Sequence, residues 1–208
     1  MSPVRLNGST SGYSELSAPA VAGNNSIALP TGNGSAYQVL RNGATAGSLE
    51  YADKIVSGTA QASTSGTSID FTGIPSWVKR VTVMFNGVST SGASIKLVQL
   101  GISSGVTSTG YNATGTSFPN GSSPANTSNT SGFVIYSGAA ADVISGQLII
   151  TTLGSNIWVA SGVMKNATNF TLLSAGDLTL SGTLDRVRIT TANGTDTFDA
   201  GSINILYE

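Results

Sequence analysis

The sequence predicts an all-β protein with a jelly-roll-like β-sandwich at its C-terminal side and an extended β arm before it. From residue 69 onward, apolar and polar residues alternate over short runs, which is the period of a strand with one buried face. Gly, Asn and Asp separate these runs at regular intervals and supply turns. We found no convincing helical period, so we predict an arm over 1–56, a connection over 57–68 and a sandwich over 69–208.

The arm, residues 1–56, contains short β-like runs at 13–16, 26–29 and 37–40, with Gly and Pro between them. Its apolar residues are too few to enclose a core within one copy. Two interpretations remain open for this region. Either the arm is a floppy tail, or its short strands share a buried core with sister copies.

The connection, residues 57–68, consists mainly of Ser, Gly, Thr and Ala. This composition fits a linker. It also fits an edge strand that leads into the run beginning at Ile69, and we favour the strand.

The sandwich region begins with a clear alternating run in which Val81, Val83 and Phe85 share one face. Asn86-Gly87 and Asn193-Gly194 are predicted turns, and residues 139–144 have room for one helical turn. Further strands are expected at 95–102, 133–136, 147–153, 156–163, 169–173, 177–180, 186–191 and 203–207.

One segment, residues 105–132, interrupts this pattern because it is almost entirely Ser, Thr, Asn, Gly and Pro. A loop of this length in a compact domain is commonly functional. Loops on a rigid sandwich are also where binding sites usually lie. We therefore predict a binding loop, with the aromatic residues Tyr111 and Phe118 as candidate receptor contacts.

Composition excludes several classes of partner. Charged residues make up 9% of the chain, against roughly 25% in an average globular protein, and the net charge is −1. Nucleic-acid binding requires clustered Lys and Arg, so no nucleic-acid partner is expected. No apolar run approaches the ~20 residues of a membrane span, so no membrane partner is expected. The N-terminus lacks the apolar segment of a secretion signal.

The sequence contains no His and no Cys, which removes the side chains of the common nucleophilic triads and zinc sites. Carboxylates remain, and a polysaccharide-cleaving enzyme needs two of them about 5–9.5 Å apart. Asp196 and Asp199 are close in sequence, but both follow turn-like residues, and Asp in turns commonly accepts bonds from its own backbone. A calcium ion near this pair is a weaker alternative, and we expect no cofactor.

The two tryptophans, Trp77 and Trp158, have the ring type that stacks on sugars. Trp77 precedes a predicted strand and Trp158 lies within an apolar one. We expect both rings in the core, which is the commoner place for such residues.

Two segments resemble tail-fibre-like structural proteins of tailed bacteriophages, in particular those of marine and cyanobacterial phages. They are residues 71–90, FTGIPSWVKRVTVMFNGVST, and residues 184–208, LDRVRITTANGTDTFDAGSINILYE. The arm sequence LNGSTSGY at 6–13 is similar to shaft segments of such fibres. The resemblance implies a homotrimer whose arms interlock around one axis.

The resemblance also implies a non-enzymatic virion protein, assembled in the host cytoplasm and released by lysis. Its expected partners are sister copies, other tail or capsid proteins, and a glycan or protein on the host cell. The predicted contacts of the arm with the particle or with sister copies are Leu6, Tyr13, Leu16, Ile27 and Leu29.

Four functions are compatible with the sequence, and the weakest is a host cell-surface adhesin, because no secretion signal is visible. Host attachment through the 105–132 segment is the first. Stabilisation of the capsid by a decoration, cement or head-fibre protein is the second. It is considered because tail fibres often carry a separate tail-adaptor domain, and the fibre-like sequence here already begins at Leu6. A polysaccharide depolymerase is the third, and the absence of a long β-helix repeat disfavours it.

Overall fold

The computed structural model describes residues 4–7, 11, 13–16, 26–34, 38–52, 55–136, 138–166 and 170–208. The chain divides into two compact units, Met1–Lys54 and Ile55–Glu208. Every helix or strand of the described residues is a β-strand, and the sheets are antiparallel, so the all-β prediction is confirmed.

The N-terminal unit contains two small antiparallel hairpins. β1 (Val4–Asn7) pairs with β2 (Tyr13–Leu16), and β3 (Val39–Asn42) pairs with β4 (Leu49–Ala52). The predicted strand at 26–29 is reduced to one bridge between Ala28 and Ser48.

The predicted arm contacts divide into two groups. Ile27 and Leu29 are 68% and 74% exposed, so the unit itself does not cover them. Leu6, Tyr13 and Leu16 lie in β1 and β2, and their side chains are outside the described part of the chain.

The C-terminal unit is a β-sandwich-like pair of antiparallel sheets. Its strands are β5 (Val56–Ser57), β6 (Gln61–Ala62), β7 (Ser68–Thr72), β8 (Arg80–Thr90), β9 (Lys96–Ile102), β10 (Gly105–Val106), β11 (Asn112–Phe118), β12 (Ala125–Asn129), β13 (Phe133–Ile135), β14 (Ile144–Gly154), β15 (Ile157–Lys165), β16 (Thr171–Thr179), β17 (Arg186–Thr191) and β18 (Phe198–Tyr207). The larger sheet has the order β12-β11-β16-β15-β14-β8-β18-β5, with β6 also on β18. The smaller sheet has the order β10-β9-β17-β7, with β13 also on β9.

The pairing of these strands is nested. β8 pairs with β18, β9 with β17, β11 with β16, and β14 with β15. Such nesting is the pairing rule of a jelly roll, in which one long antiparallel ribbon folds across two sheets. Here the inner part of the ribbon, β11 to β16, stays mostly in the larger sheet, so the two sheets are unequal in size.

One hydrophobic core joins the two sheets. Val81, Val83 and Phe85 of β8 are buried, as their alternation predicts, and Val187 and Ile189 of β17 are buried in the same cluster. Because side chains alternate along a strand, the intervening residues of β8 and β17 face away from this core.

The prediction that residues 105–132 form a loop is wrong, because the segment contains β10, β11 and β12. The residues of β11 that face the core are Ala113, Gly115 and Ser117, and they are small. An added Cβ on Gly115 would lie 2.5 Å from Cγ1 of Val134 in β13. The close approach of β13 therefore requires small residues, and their polarity hides the strand from a search for apolar alternation.

Two predicted local features also differ. Asn86-Gly87 lies inside β8, where the pairing with β14 and β18 shifts register, and Gly87 has a φ of 67°. It is therefore a bulge and not a hairpin turn. Residues 139–142 form a turn, closed by a bond from Asp142 N to Ala139 O of 3.1 Å, and β14 begins at Ile144, so the predicted helical turn over 139–144 is wrong.

The two tryptophans differ in burial. Trp158 is buried in the core, as predicted. The prediction for Trp77 is wrong, because its ring is 41% exposed and packs against Tyr207 with ring centroids 5.9 Å apart. Trp77 lies in the turn that precedes β8, where it covers the end of β18 without entering the core.

Candidate binding site beside the β11–β12 hairpin

Phe118 lies on the surface at the end of β11, opposite Thr171 of β16. Its side chain is 42% exposed, which is high for a phenylalanine at the edge of a core. The hairpin that joins β11 to β12 begins at the next residue, Pro119. Of the two aromatic residues predicted to contact a receptor, Phe118 is the one on the surface.

Tyr111 is a core residue, which corrects the expectation that its ring contacts a receptor. It is 2% exposed and packs edge-on against Phe133, with ring centroids 5.1 Å apart. Its hydroxyl accepts a bond of 2.6 Å from Leu100 N and donates one of 3.1 Å to Thr107 O. Burial raises the pKa of this phenol well above its usual range.

A cavity of about 470 Å³ opens beside this hairpin. Ser117 and Pro119 at the end of β11 form one part of its wall, and the rings of Tyr136 and Phe170 also line it. Both rings are half-buried and pack against the hydrophobic core. The cavity therefore combines an apolar wall with the polar residues described next.

The polar residues of the cavity are Asp142 and Asn166, which are 7% and 1% exposed. Asn166 Nδ2 donates to Asp142 Oδ1 at 2.9 Å. Asp142 Oδ2 accepts bonds from Gly138 N and Ala139 N, at 2.7 and 3.0 Å. Two connections, the one over 138–142 and the one that begins at Asn166, therefore meet at one carboxylate and one amide.

Asn166 is itself fixed by the backbone. Its Oδ1 accepts a bond of 3.0 Å from Phe170 N, and its own N donates to Phe170 O at 3.1 Å. These two bonds tie Asn166, after the end of β15, to Phe170, before the start of β16. The amide orientation is therefore set by the backbone, and it in turn orients Asp142.

A buried lysine compensates the charge of this region. Lys96 of β9 is fully buried, and burial lowers its pKa below the usual value. Three carboxylates oppose that effect, and Asp142 has the largest influence, before Asp199 and Asp196. The cavity wall thus carries a carboxylate whose charge a nearby ammonium group partly offsets.

The Asp196–Asp199 segment is structural. Asp196 accepts bonds from Asn193 Nδ2 at 2.7 Å and from Ser94 N at 3.0 Å, and these bonds lower its pKa. Asp199 accepts a short bond from the hydroxyl of Ser89. The Asn193-Gly194 turn is confirmed by a bond from Gly194 N to Thr191 O of 3.0 Å. Among the described residues, no group of three His, Cys, Asp or Glu side chains is placed to hold a metal ion.

A second, open cavity of about 520 Å³ lies on the outer face of the larger sheet. Its wall comes from β11, β14, β15 and β16 and includes Val163 and Leu173, which are 59% and 40% exposed. The strand register places Thr116, Leu173, Val163, Gln147 and Met84 in one cross-strand row. This row is uncharged, whereas Lys165 lies one row away.

Sequence reasoning missed Tyr136, Asp142, Asn166 and Phe170 as members of one site. Asp142 was one acid among ten and Asn166 one of many Asn-x-Ser/Thr triplets. The four residues come from two connections 24 positions apart, at each end of the β14–β15 hairpin. Only the pairing of β14 with β15, which returns the chain to the same end of the sheet, brings them together.

Comparisons of this chain with protein-family models, with curated proteins and with solved structures gave no match. Within the described ranges, no helix is long and apolar enough to cross a membrane.

Proposed function

We propose that this chain is a non-enzymatic structural protein of a tailed-phage virion, a trimeric surface protein that contributes to host attachment. The observation that carries the proposal is the arrangement of the two segments that resemble phage fibre proteins. Residues 71–90 and 184–208 are far apart in sequence, yet β7 pairs with β17 and β8 pairs with β18. The resemblance thus covers adjoining strands of both sheets, as a shared fold would require.

The exposed apolar residues of the N-terminal unit support self-association. Val39, Leu40 and Tyr51 are 42%, 50% and 40% exposed, in addition to Ile27 and Leu29. Hydrophobic surface of this extent on a small unit is typical of contact with another chain. In the proposed trimer, sister arms interlock and cover these residues.

The proposed attachment surface is the end of the sandwich that carries Phe118 and the cavity next to it. A concave pocket that combines aromatic walls, here Tyr136 and Phe170, with a few polar groups is the usual anatomy of a recognition site. Asp142 is the one Asp or Glu among the described residues that line this cavity. Retaining or inverting glycoside hydrolysis generally uses two carboxylates, so a binding function suits this site better than a depolymerase.

A second candidate function, stabilisation of a capsid, is favoured by the outer face of the larger sheet. Its two central rows carry Thr, Ser, Gln, Leu, Ile, Val, Met and Ala and no charged residue from β11 to β8. Depletion of charge at the centre of a surface is typical of protein–protein interfaces. This face would then lie on the shell, and the Phe118 end would project.

The decisive experiment is to locate the protein on intact particles with a gold-labelled antibody or by cryo-EM. We expect label at the tail tip, and recombinant protein should then compete with particles for adsorption to the host. Label spread over the capsid faces, with no effect of the recombinant protein on adsorption, would replace host attachment with shell stabilisation. Absence of the protein from particles would contradict both.

The homotrimer has its own test. Native mass spectrometry of the full chain should give three times the monomer mass. Replacement of Ile27 and Leu29 by Ser should shift the distribution toward monomer, because their burial in the trimer is the proposed driving force. A wild-type chain that remains monomeric would exclude the interlocked arm.

A further inference from the structure

We propose that the cavity beside the β11–β12 hairpin binds a neutral saccharide, with Asp142 as the acceptor for sugar hydroxyls and Tyr136 and Phe170 as the apolar wall. This inference deepens the proposed attachment function and rests on it for biological meaning, since it names the chemical class of the host receptor. The binding chemistry itself can be tested without a phage.

The first argument is the free acceptor capacity of Asp142. An ionised carboxylate offers about four lone-pair positions. Three bonds reach Asp142, one on Oδ1 from Asn166 and two on Oδ2 from backbone N–H groups. Oδ1 therefore retains an acceptor position on a side chain that lines the cavity. A hydroxyl is the neutral donor that would satisfy it, and bonds to a charged acceptor are stronger than neutral ones.

The second argument is preorganisation. Asn166 is 1% exposed and its amide is held by Phe170 N, so the carboxylate it contacts has little freedom to turn. Gly138 N and Ala139 N fix the other carboxylate oxygen. A site whose acceptor is already oriented loses less entropy when the ligand binds. Asn166 is accordingly a positioning residue, and Asp142 is the residue in contact with the ligand.

The third argument comes from the rings. Tyr136 and Phe170 present half-buried aromatic surface to the cavity. A pyranose has one face formed largely by C–H groups, which packs on apolar rings, and an edge of hydroxyls, which needs acceptors and donors. The volume of about 470 Å³ lies within the ~300–1,000 Å³ range of small-ligand sites.

Charge separates a neutral saccharide from other ligands. No Lys or Arg is among the described residues that line the cavity, so an anionic group would meet the Asp142 carboxylate with no cationic partner on the cavity wall. A cationic ligand is disfavoured because Lys96 already offsets Asp142 from inside the core. An uncharged donor of hydrogen bonds is the class that remains.

The experiment uses the full chain and a panel of glucose, galactose, mannose, maltose and lactose. Binding is measured by isothermal calorimetry and by chemical-shift changes of backbone amides. We expect saturable binding of at least one sugar, with the largest shifts at Gly138, Ala139 and Phe170, whose N–H groups surround Asp142 and Asn166. Failure of every sugar to bind, or shifts confined to the outer face of the larger sheet around Val163, would overturn the proposal.

Variants sharpen the assignment. Asp142→Asn should weaken binding at least about tenfold, the ratio expected for loss of one charge-assisted bond. Tyr136→Ala should weaken it without touching the carboxylate and serves if Asp142→Asn does not fold. Asp177→Asn is the matched control, because this exposed acid lies on the outer face of β16, where its carboxylate accepts a bond of 3.1 Å from Asn112 Nδ2. Equal affinity of the Tyr136→Ala variant and the wild type would contradict the site.

The two proposals fail separately. Saccharide binding at this cavity by a protein that is absent from particles would leave the ligand assignment standing and remove the attachment function. Competition for host adsorption without binding of any sugar in the panel would leave the attachment function standing and overturn the saccharide assignment.

Discussion

Arg188 of β17 and Asp70 of β7 form a two-pronged ion pair across the smaller sheet. Arg188 Nε lies 2.7 Å from Asp70 Oδ1, and a terminal guanidinium nitrogen lies 2.8 Å from Oδ2. The two residues are directly opposite in the strand register. The side-chain hydrogen bonds to Asp70 raise the pKa of Arg188. The pair therefore fixes the register of the two strands on the face opposite the core, where apolar packing gives no information.

Arg188→Lys should lower the free energy of unfolding by about 0.5–1 kcal/mol. Lys keeps the charge and loses the planar fork that bonds both oxygens, and the pair is about one-third exposed, which limits its contribution. Urea denaturation of the variant and of Arg188→Gln measures the effect. A loss as large for Lys as for Gln would indicate that geometry, and not charge, accounts for the stabilisation. A change below detection in both would contradict the register role.

Gly115→Ala should destabilise the sandwich by about 1–3 kcal/mol, the usual range for overpacking a core. The new methyl group would lie 2.5 Å from Cγ1 of Val134, which is fully buried and cannot withdraw. Thermal denaturation by circular dichroism measures the loss. Thr116→Val on the outward face of the same strand is the control, and it should stay within about 0.5 kcal/mol of the wild type. Equal stability of the Gly115→Ala variant would mean that β11 and β13 are farther apart than described.

This strand also explains how far the sequence could predict the fold. Alternation located β8 and β17 because their inward residues, such as Val83 and Val187, are large and apolar. It missed β11 because close packing against β13 requires Ala, Gly and Ser at the inward positions. A strand of small polar residues is indistinguishable from a loop until its neighbours are known.

The candidate site was less predictable than the fold. Phe118 was predictable as a surface residue because its sequence neighbours are polar, but Tyr111 also has polar sequence neighbours and is buried. The two rings differ in the face of the sheet to which they point. Tyr111 points toward Phe133 and Leu100, and the position of these residues is not visible in the local sequence. The Asp142–Asn166 contact depends on the return of the β14–β15 hairpin and has no local pattern at all.

Tyr111→Phe should cost about 1–3 kcal/mol of stability and leave adsorption competition unchanged. The substitution keeps the ring packing and removes the oxygen that accepts from Leu100 N at 2.6 Å. A buried N–H without a partner carries that penalty. Chemical denaturation tests the first expectation, and host adsorption tests the second. Reduced adsorption by a fully folded Tyr111→Phe protein would return Tyr111 to the list of contact residues.

Lys96 should make stability depend on pH in a defined direction. Burial lowers its pKa from the usual 10.5, while Asp142, Asp199 and Asp196 oppose the shift. Between the folded pKa and 10.5 the unfolded chain binds more protons, so the contribution of Lys96 to the free energy of unfolding rises with pH. The stability difference between wild type and Lys96→Met should therefore move in favour of the wild type from pH 7 toward 10. Tyr111 is common to both proteins, so any contribution it makes cancels in the difference. A difference that is flat with pH would contradict the burial of a titrating lysine.

Phe118→Ser should reduce competition for host adsorption at little cost in stability. The ring is 42% exposed, so the folded state gains only part of the hydrophobic free energy that a buried phenylalanine contributes. At a recognition surface, however, an exposed aromatic ring commonly supplies a large share of the binding energy. Leu173→Ser is the matched control, because Leu173 is 40% exposed on the same outer face of the larger sheet but lies one row further from the hairpin end. Adsorption competition that falls about tenfold or more for Phe118→Ser and stays unchanged for Leu173→Ser would place host contact at the hairpin end. The reverse result would place the contact nearer the centre of the sheet face and favour that region as the binding surface.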